Sequence, residues 1–259
     1  MSDREPARPY PSIEQVEGER SPQQERHHRQ RMCALGYRLF AANRWGGLGD
    51  GHVSARDPLH TDYFWILDWG VPFKAATVDH LVLVGPDGGT FDADLHPTGA
   101  VNTAGYNIHY PLLAARTDCI SAAHTHTHFG TPWSANVRPF QAISQESCAL
   151  VLQQSMFDDG EVEVLSIDGG KRIAAALGDD QLCILRNHGL LTVGQTVEEA
   201  VGWFLLAERA AEVHVKAPDA LPISDSDAAI AAATLGLRAT ARSTFQWAVR
   251  SMLDDPEVG

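Results

Sequence analysis

The stretch that most restricts the fold is "CISAAHTHTHFGTPW", Cys119 to Trp133. An apolar run leads into histidines at alternate positions, His124, His126 and His128. On a strand, residues i and i+2 point to one side. His124 and His126 would therefore present two imidazoles together at the end of a buried strand. His128 would join them only if the strand continued, and "FGTPW" predicts that it stops. A second segment, "QLCILRNHGLLTVG" (181–194), puts His188 after an apolar strand and before Gly189, a residue that lets backbone or ligand come close. The two segments together supply three neutral nitrogen donors, enough for a catalytic metal site with an open position. The first segment alone fits hydrogen-bonded histidines equally well, and the second alone is more often a turn histidine than a ligand.

The rest of the chain alternates strand-like and helical patterns. Ser21-Pro22 reads as an N-cap with Pro at N1, and Met32, Leu35, Leu39 and Phe40 follow at helical spacing up to the glycine-rich "RWGGLGDG". "YFWILDW" (63–69), "HLVLVG" (80–85, closed by "GPDGG"), "EVEVLSI" (161–167), "QLCILRN" (181–187) and "LLTVG" (190–194) read as strands. Helices are predicted over 104–116, with Pro111 awkward inside it, and over 134–154. A third runs over 196–217, where Thr196 and Glu199 have capping-box spacing, and a helical region, broken or continuous, covers 225–253, started by Asp225 and Asp227. The pattern divides the chain into a tail (1–20), one mixed domain (21–222) and a C-terminal helical extension (223–259).

Composition narrows the function. With 33 acidic against 20 basic residues the formal charge is −13, unsuited to holding nucleic acid or anionic membrane through phosphates. No apolar run reaches the ~18 residues of a membrane span, and "MSDREPARPYPS" carries no apolar core of a secretory signal. Cys33, Cys119, Cys148 and Cys183 are single and far apart, so neither a disulfide framework nor a cysteine metal knuckle is expected. A cytoplasmic location follows as the default expectation.

These motifs resemble the class II aldolase/adducin superfamily over roughly residues 25–217. The resemblance is carried by "GDGHVSARDP" (49–58), "WILDWGVPF", "NTAGYNIHYPLLAARTD" (102–118), "HTH" and "RIAAALGDDQLCILRNHGLLTVG". It implies an α/β fold, a three-layer α/β/α sandwich around a mostly antiparallel sheet. It also implies one divalent metal per subunit, Zn²⁺ or Fe²⁺, on His124, His126 and His188. His128 falls outside that triad. A small-molecule substrate and a homotetramer, with active sites near subunit boundaries, follow from the same resemblance.

The departures from the family pattern bear on mechanism. Sugar-phosphate members carry "PSSE" where this chain has Asn102-Thr103-Ala104-Gly105, so glycine occupies the place of the proton-transferring glutamate. Glycine has no group for acid–base work. His52 stands in "GHVS" where the phosphate pocket has asparagine, and all five tyrosines precede the metal strand, leaving no C-terminal acid. The catalytic group is therefore open, with His109, His52 and His128 as candidates. His52 (expected on a loop), Gly70, Thr103, His109 and Arg138 are the substrate-binding candidates, and Glu146 is a conceivable replacement carboxylate. Trp65, Trp69 and Phe73 could floor an apolar pocket or belong to the core; His27 and His28 read as surface. The expected activity is metal-dependent, lyase-like cleavage or rearrangement of a small carbonyl or 2-oxo acid compound. The alternatives are a non-haem iron oxygenase that oxidatively decarboxylates an aromatic 2-oxo acid, and a non-catalytic adducin-like binding module.

Overall fold

Ser21 opens the first helix by accepting a hydrogen bond from the Gln24 N–H, while the Gln24 side chain returns one to the Ser21 N–H. This reciprocal cap satisfies donors that no helical carbonyl can reach. It begins α1 (Pro22–Ala42) in a computed structural model that describes residues 20–258. The tail expected over 1–20 lies outside the described residues apart from Arg20. Buried Leu35, Tyr37, Leu39 and Phe40 lay α1 on the sheet.

The chain then runs β1 (Gly51–Arg56), β2 (Phe64–Leu67), β3 (Leu81–Val84), β4 (Thr90–Phe91), α2 (Thr103–Ala115), β5 (Ser121–Thr125), α3 (Gly130–Ser134) and α4 (Gln145–Cys148). It continues through β6 (Gln154–Phe157), α5 (Ile167–Leu177), β7 (Leu182–Leu185), β8 (Gly189–Gly194), α6 (Val197–Lys216), α7 (Asp225–Leu235) and α8 (Arg238–Met252). The strands form one sheet in the order β4-β3-β2-β1-β5-β8-β7-β6, antiparallel except for β6 beside β7. Helices α2 and α5 pack together over one face, and α1 and α6 cover the other, with α8 packed on α6. Strands β2, β3, β7 and β8 are buried along their whole length, as a sheet covered on both sides requires.

Pro111 sits inside α2 without breaking it. It removes the N–H that the Asn107 carbonyl would have used, and Gly170 of α5 packs against that carbonyl: a Cβ there would stand 1.8 Å from the oxygen. The C-terminal helices join the same core. Ala241 and Phe245 of α8 and Val258 are buried, and Gly202 of α6 lets the Ala241 carbonyl approach to where a Cβ would be 1.9 Å away.

Three local expectations are corrected. Residues 134–154 are not one helix but an irregular stretch carrying α4 and then β6. Val137 has φ of +52°, which ends helical geometry, and the rings of Trp133, Phe140 and His214 stack to anchor the turn. Residues 161–167 are not a strand. Ser166 caps α5, Val164 alone turns inward and Leu165 is exposed, so the alternating pattern reports a loop held by Arg172 to Asp159, Glu161 and Asp168. His52 lies on strand β1 rather than on a loop.

Candidate metal centre

Strand β5 ends at Thr125, and the next backbone N–H, that of His126, bonds to the Asp50 carbonyl (3.3 Å). The β7–β8 hairpin turns through Arg186, Asn187 and His188. Asn187 takes a positive φ of +55°, which asparagine tolerates, and the turn carries His188 back toward β5. The ring centroids of His124, His126 and His188 are 5.4, 4.7 and 5.0 Å apart by pair, each pair nearly perpendicular. One ligand atom from each lies within 4.8 Å of the others, and these three make the only such cluster among the described residues. Gly189 has φ of +156°, a backbone conformation that other residues rarely adopt, so the position after His188 favours glycine for its conformation.

The donor chemistry fits a divalent cation. His124 Nδ1 lies 2.8 Å from the Leu190 carbonyl, so it carries the proton and leaves Nε2 as a lone pair. Burial, with His188 next in effect, holds His124 well below the ordinary histidine range; burial, then His126, pushes His188 down to about 4. Neutral imidazoles are the ligating form. His128 is exposed and stands outside the cluster.

Behind His124 lies a buried polar chain. His52 pairs with His124 across β1 and β5, and their rings are 5.1 Å apart. His52 Nδ1 is 2.8 Å from His109 Nε2, and His109 Nδ1 is 2.5 Å from Ser54 Oγ. His52 and His109 are 3% and 0% exposed. Burial and then His109 drive His52 well down; burial and then His124 push His109 down to about 3. A Cβ on Gly105 would meet His52 Cδ2 at 3.0 Å, so the imidazole occupies the space beside the glycine.

The other sequence candidates scatter. Thr103 is the exposed first residue of α2, capped by Asn102. Gly70 sits in an open turn with φ of +96°. The Arg138 guanidinium lies over the Trp133 ring, 4.7 Å from its centroid. Glu146 stands 3.8 Å from Arg209. Trp65 and Phe73 are core, whereas Trp69 is 56% exposed. His27 is exposed, but His28 bonds to Glu198 at 3.0 Å and is not a free surface group. Sequence reasoning missed Glu208, a buried carboxylate of α6 bonded to Thr127, Phe129 and Gly130. Its only signal was an acidic residue on the apolar side of an amphipathic helix.

Comparison with known proteins settles the kinship. Residues 30–215 match the model of the class II aldolase and adducin N-terminal domain. The chain belongs to that family. A decarboxylase, NovR, of Streptomyces niveus is 34% identical over 64% of this chain and 61% of its own length. A 4-hydroxy-3-prenylphenylpyruvate oxygenase/4-hydroxy-3-prenylbenzoate synthase of Streptomyces roseochromogenus is 34% identical over 64% of this chain and 59% of its own. The chain thus spans less than two thirds of each. The structure of an L-fuculose 1-phosphate aldolase from Glaciozyma antarctica superposes with a TM-score of 0.77 at 28% identity, covering 92% of this chain and 94% of that one. The family includes enzymes and adducins. No helix of the described residues is long and apolar enough to cross a membrane.

Proposed function

We propose that this class II aldolase-family chain is a metal-dependent lyase-type enzyme that cleaves or rearranges a small carbonyl or 2-oxo acid compound, working without a glutamate base. The observation that carries the reading is the convergence of three imidazoles beside a fourth, His52, at the place next to Gly105. His124, His126 and His188 would hold one divalent cation. When bound, such a cation supplies Lewis-acid polarisation of a carbonyl oxygen.

The protein's own contribution is then positional. His52 has one ring nitrogen engaged by His109, and Nε2 has no hydrogen-bond partner among the described residues. That nitrogen is the group that donates to, or accepts a proton from, a substrate oxygen beside the cluster. His109 and Ser54 decide which: a proton on His109 Nε2 leaves His52 as donor, and a proton on His52 Nδ1 leaves its Nε2 as acceptor. Thr103 and Gly70 remain as substrate-side positions on the strength of the family pattern. Arg138 is set aside because its guanidinium lies on Trp133. Assembly as a homo-oligomer belongs to the same reading.

The second reading is an iron-dependent oxidative decarboxylase of an aromatic 2-oxo acid, favoured by the likeness to the Streptomyces oxygenase. One experiment separates the two. Metal analysis of protein purified without added metal is combined with assays on 2-oxo acids and hydroxy-oxo compounds, with and without O₂. Anaerobic carbon–carbon cleavage with zinc supports the lyase, and O₂ consumption with iron supports the oxygenase. Tight metal binding without turnover of either class leaves an adducin-like binding module.

A further inference from the structure

We propose that Glu208 is a positioning residue for the metal centre, acting through the turn that follows His126. The inference rests on the three-histidine reading above. Of the three ligands, His126 is the least restrained. Its side chain is 43% exposed, it lies beyond the last β5–β8 pair, and its Nδ1 stands 3.6 Å from Asp50 Oδ2, outside hydrogen-bond length. His124 is oriented by the Leu190 carbonyl and His188 by a tight hairpin. The direction of His126 therefore depends on the backbone to either side. Upstream, Thr125 and His126 are tied to the Asp50 carbonyl.

Downstream, one carboxylate gathers three hydrogen bonds from the turn. Glu208 Oε2 accepts from Thr127 Oγ1 and from the Gly130 N–H, both at 2.7 Å, and Oε1 accepts from the Phe129 N–H at 3.0 Å. The Thr127 N–H donates to Thr131 Oγ1 at 2.9 Å, closing the same turn. Glu208 is 5% exposed. A buried carboxylate is costly unless it is hydrogen-bonded, and here its hydrogen-bond donors all come from the segment 127–130. Helix α6 packs on β5 and β8, so Glu208 fixes that turn against the strands that carry His124 and the hairpin of His188. Outer partners of this kind typically change metal affinity by about 10–100-fold.

The test is Co²⁺ titration of the full chain, read by its visible bands. Wild type should bind one Co²⁺. Glu208→Gln, which turns one acceptor into a donor, should weaken Co²⁺ by about tenfold. On a His126→Ala background, titrated at higher cobalt, the same change should add less than about twofold, because its effect runs through His126. Affinity within about twofold of wild type overturns the proposal, as does an equal tenfold loss on both backgrounds, which marks a general structural role. If Glu208→Gln does not fold, Thr127→Val removes one donor to the same carboxylate; unchanged Co²⁺ affinity in that variant overturns the proposal. If wild type binds no Co²⁺, the metal reading itself fails and the positioning role falls with it.

Discussion

His52 and Gly105 compete for one volume: a Cβ on residue 105 would lie 3.0 Å from His52 Cδ2 and 3.3 Å from Cγ. The imidazole lies against the open side of the glycine, so any side chain at 105 has to push the ring aside, by a few tenths of an ångström for a Cβ alone.

Gly105→Glu should not restore sugar-phosphate aldolase chemistry. It should displace His52 and destabilise the fold by about 1–3 kcal/mol, the usual cost of overpacking. Gly105→Ala should stay within about 1 kcal/mol of wild type, because the helix-propensity gain of alanine offsets a small shift of the ring. Urea midpoints of the two variants check this. A Glu variant as stable as wild type would show that the ring yields easily.

The ligand assignment separates neighbouring histidines. His188→Ala should strip most of the metal, and His128→Ala should retain it, measured as metal per chain after dialysis. Chelation of wild type should lower Tm, since a ligand bound only by the folded state stabilises it in proportion to RT ln(1 + [L]/Kd). Equal metal loss in His128→Ala and His126→Ala would place the pair wrongly.

The metal-free protein should lose stability as pH falls from about 6.5. Well above that value His188 and His109 are neutral in the folded and the unfolded state, and no pH dependence arises from them. Below it the unfolded chain takes up protons, while His188, held to about 4, and His109, held to about 3, do not. The unfolded state then binds more protons, so stability drops, and the slope flattens only as each folded value is reached. Urea midpoints at pH 7.5, 6 and 5 should decline in wild type and decline less in His109→Gln. A flat profile over that range would mean that these rings titrate normally.

Asp57 should matter for stability rather than for the site. Its buried carboxylate accepts from Arg26 Nη2 (3.0 Å), Trp65 Nε1 (2.6 Å) and the N–H groups of Leu59 and His60 (both 2.7 Å). Asp57→Ala leaves a largely buried guanidinium and an indole N–H without their acceptor, and should cost roughly 3 kcal/mol in chemical denaturation. Bound metal per chain should be unchanged at saturating metal.

Local pattern carried much of this protein. The i, i+2 spacing of His124 and His126, the glycine beside His188 and the caps of α1 and α6 all depend on neighbours within a few residues, so they are legible as written. The strand end was not: β5 stops at Thr125 rather than at Phe129-Gly130, so His126 already lies outside it. The errors were local as well. "EVEVLSI" alternates like a strand but has no partner strand, and the stretch after Ser134 looks helical until the Trp133–Phe140–His214 stack bends it. What no local pattern could reveal is distance across the sequence. Register pairs His52 with His124, 72 positions apart. Packing of α2 brings His109 behind His52, and packing of α6 sets Glu208 under the turn after His126. A histidine on a strand and a glutamate on a helix have the same local signature whether they face water or a metal centre. The sheet order and the helices laid against it decide which, because only they determine what each side chain meets.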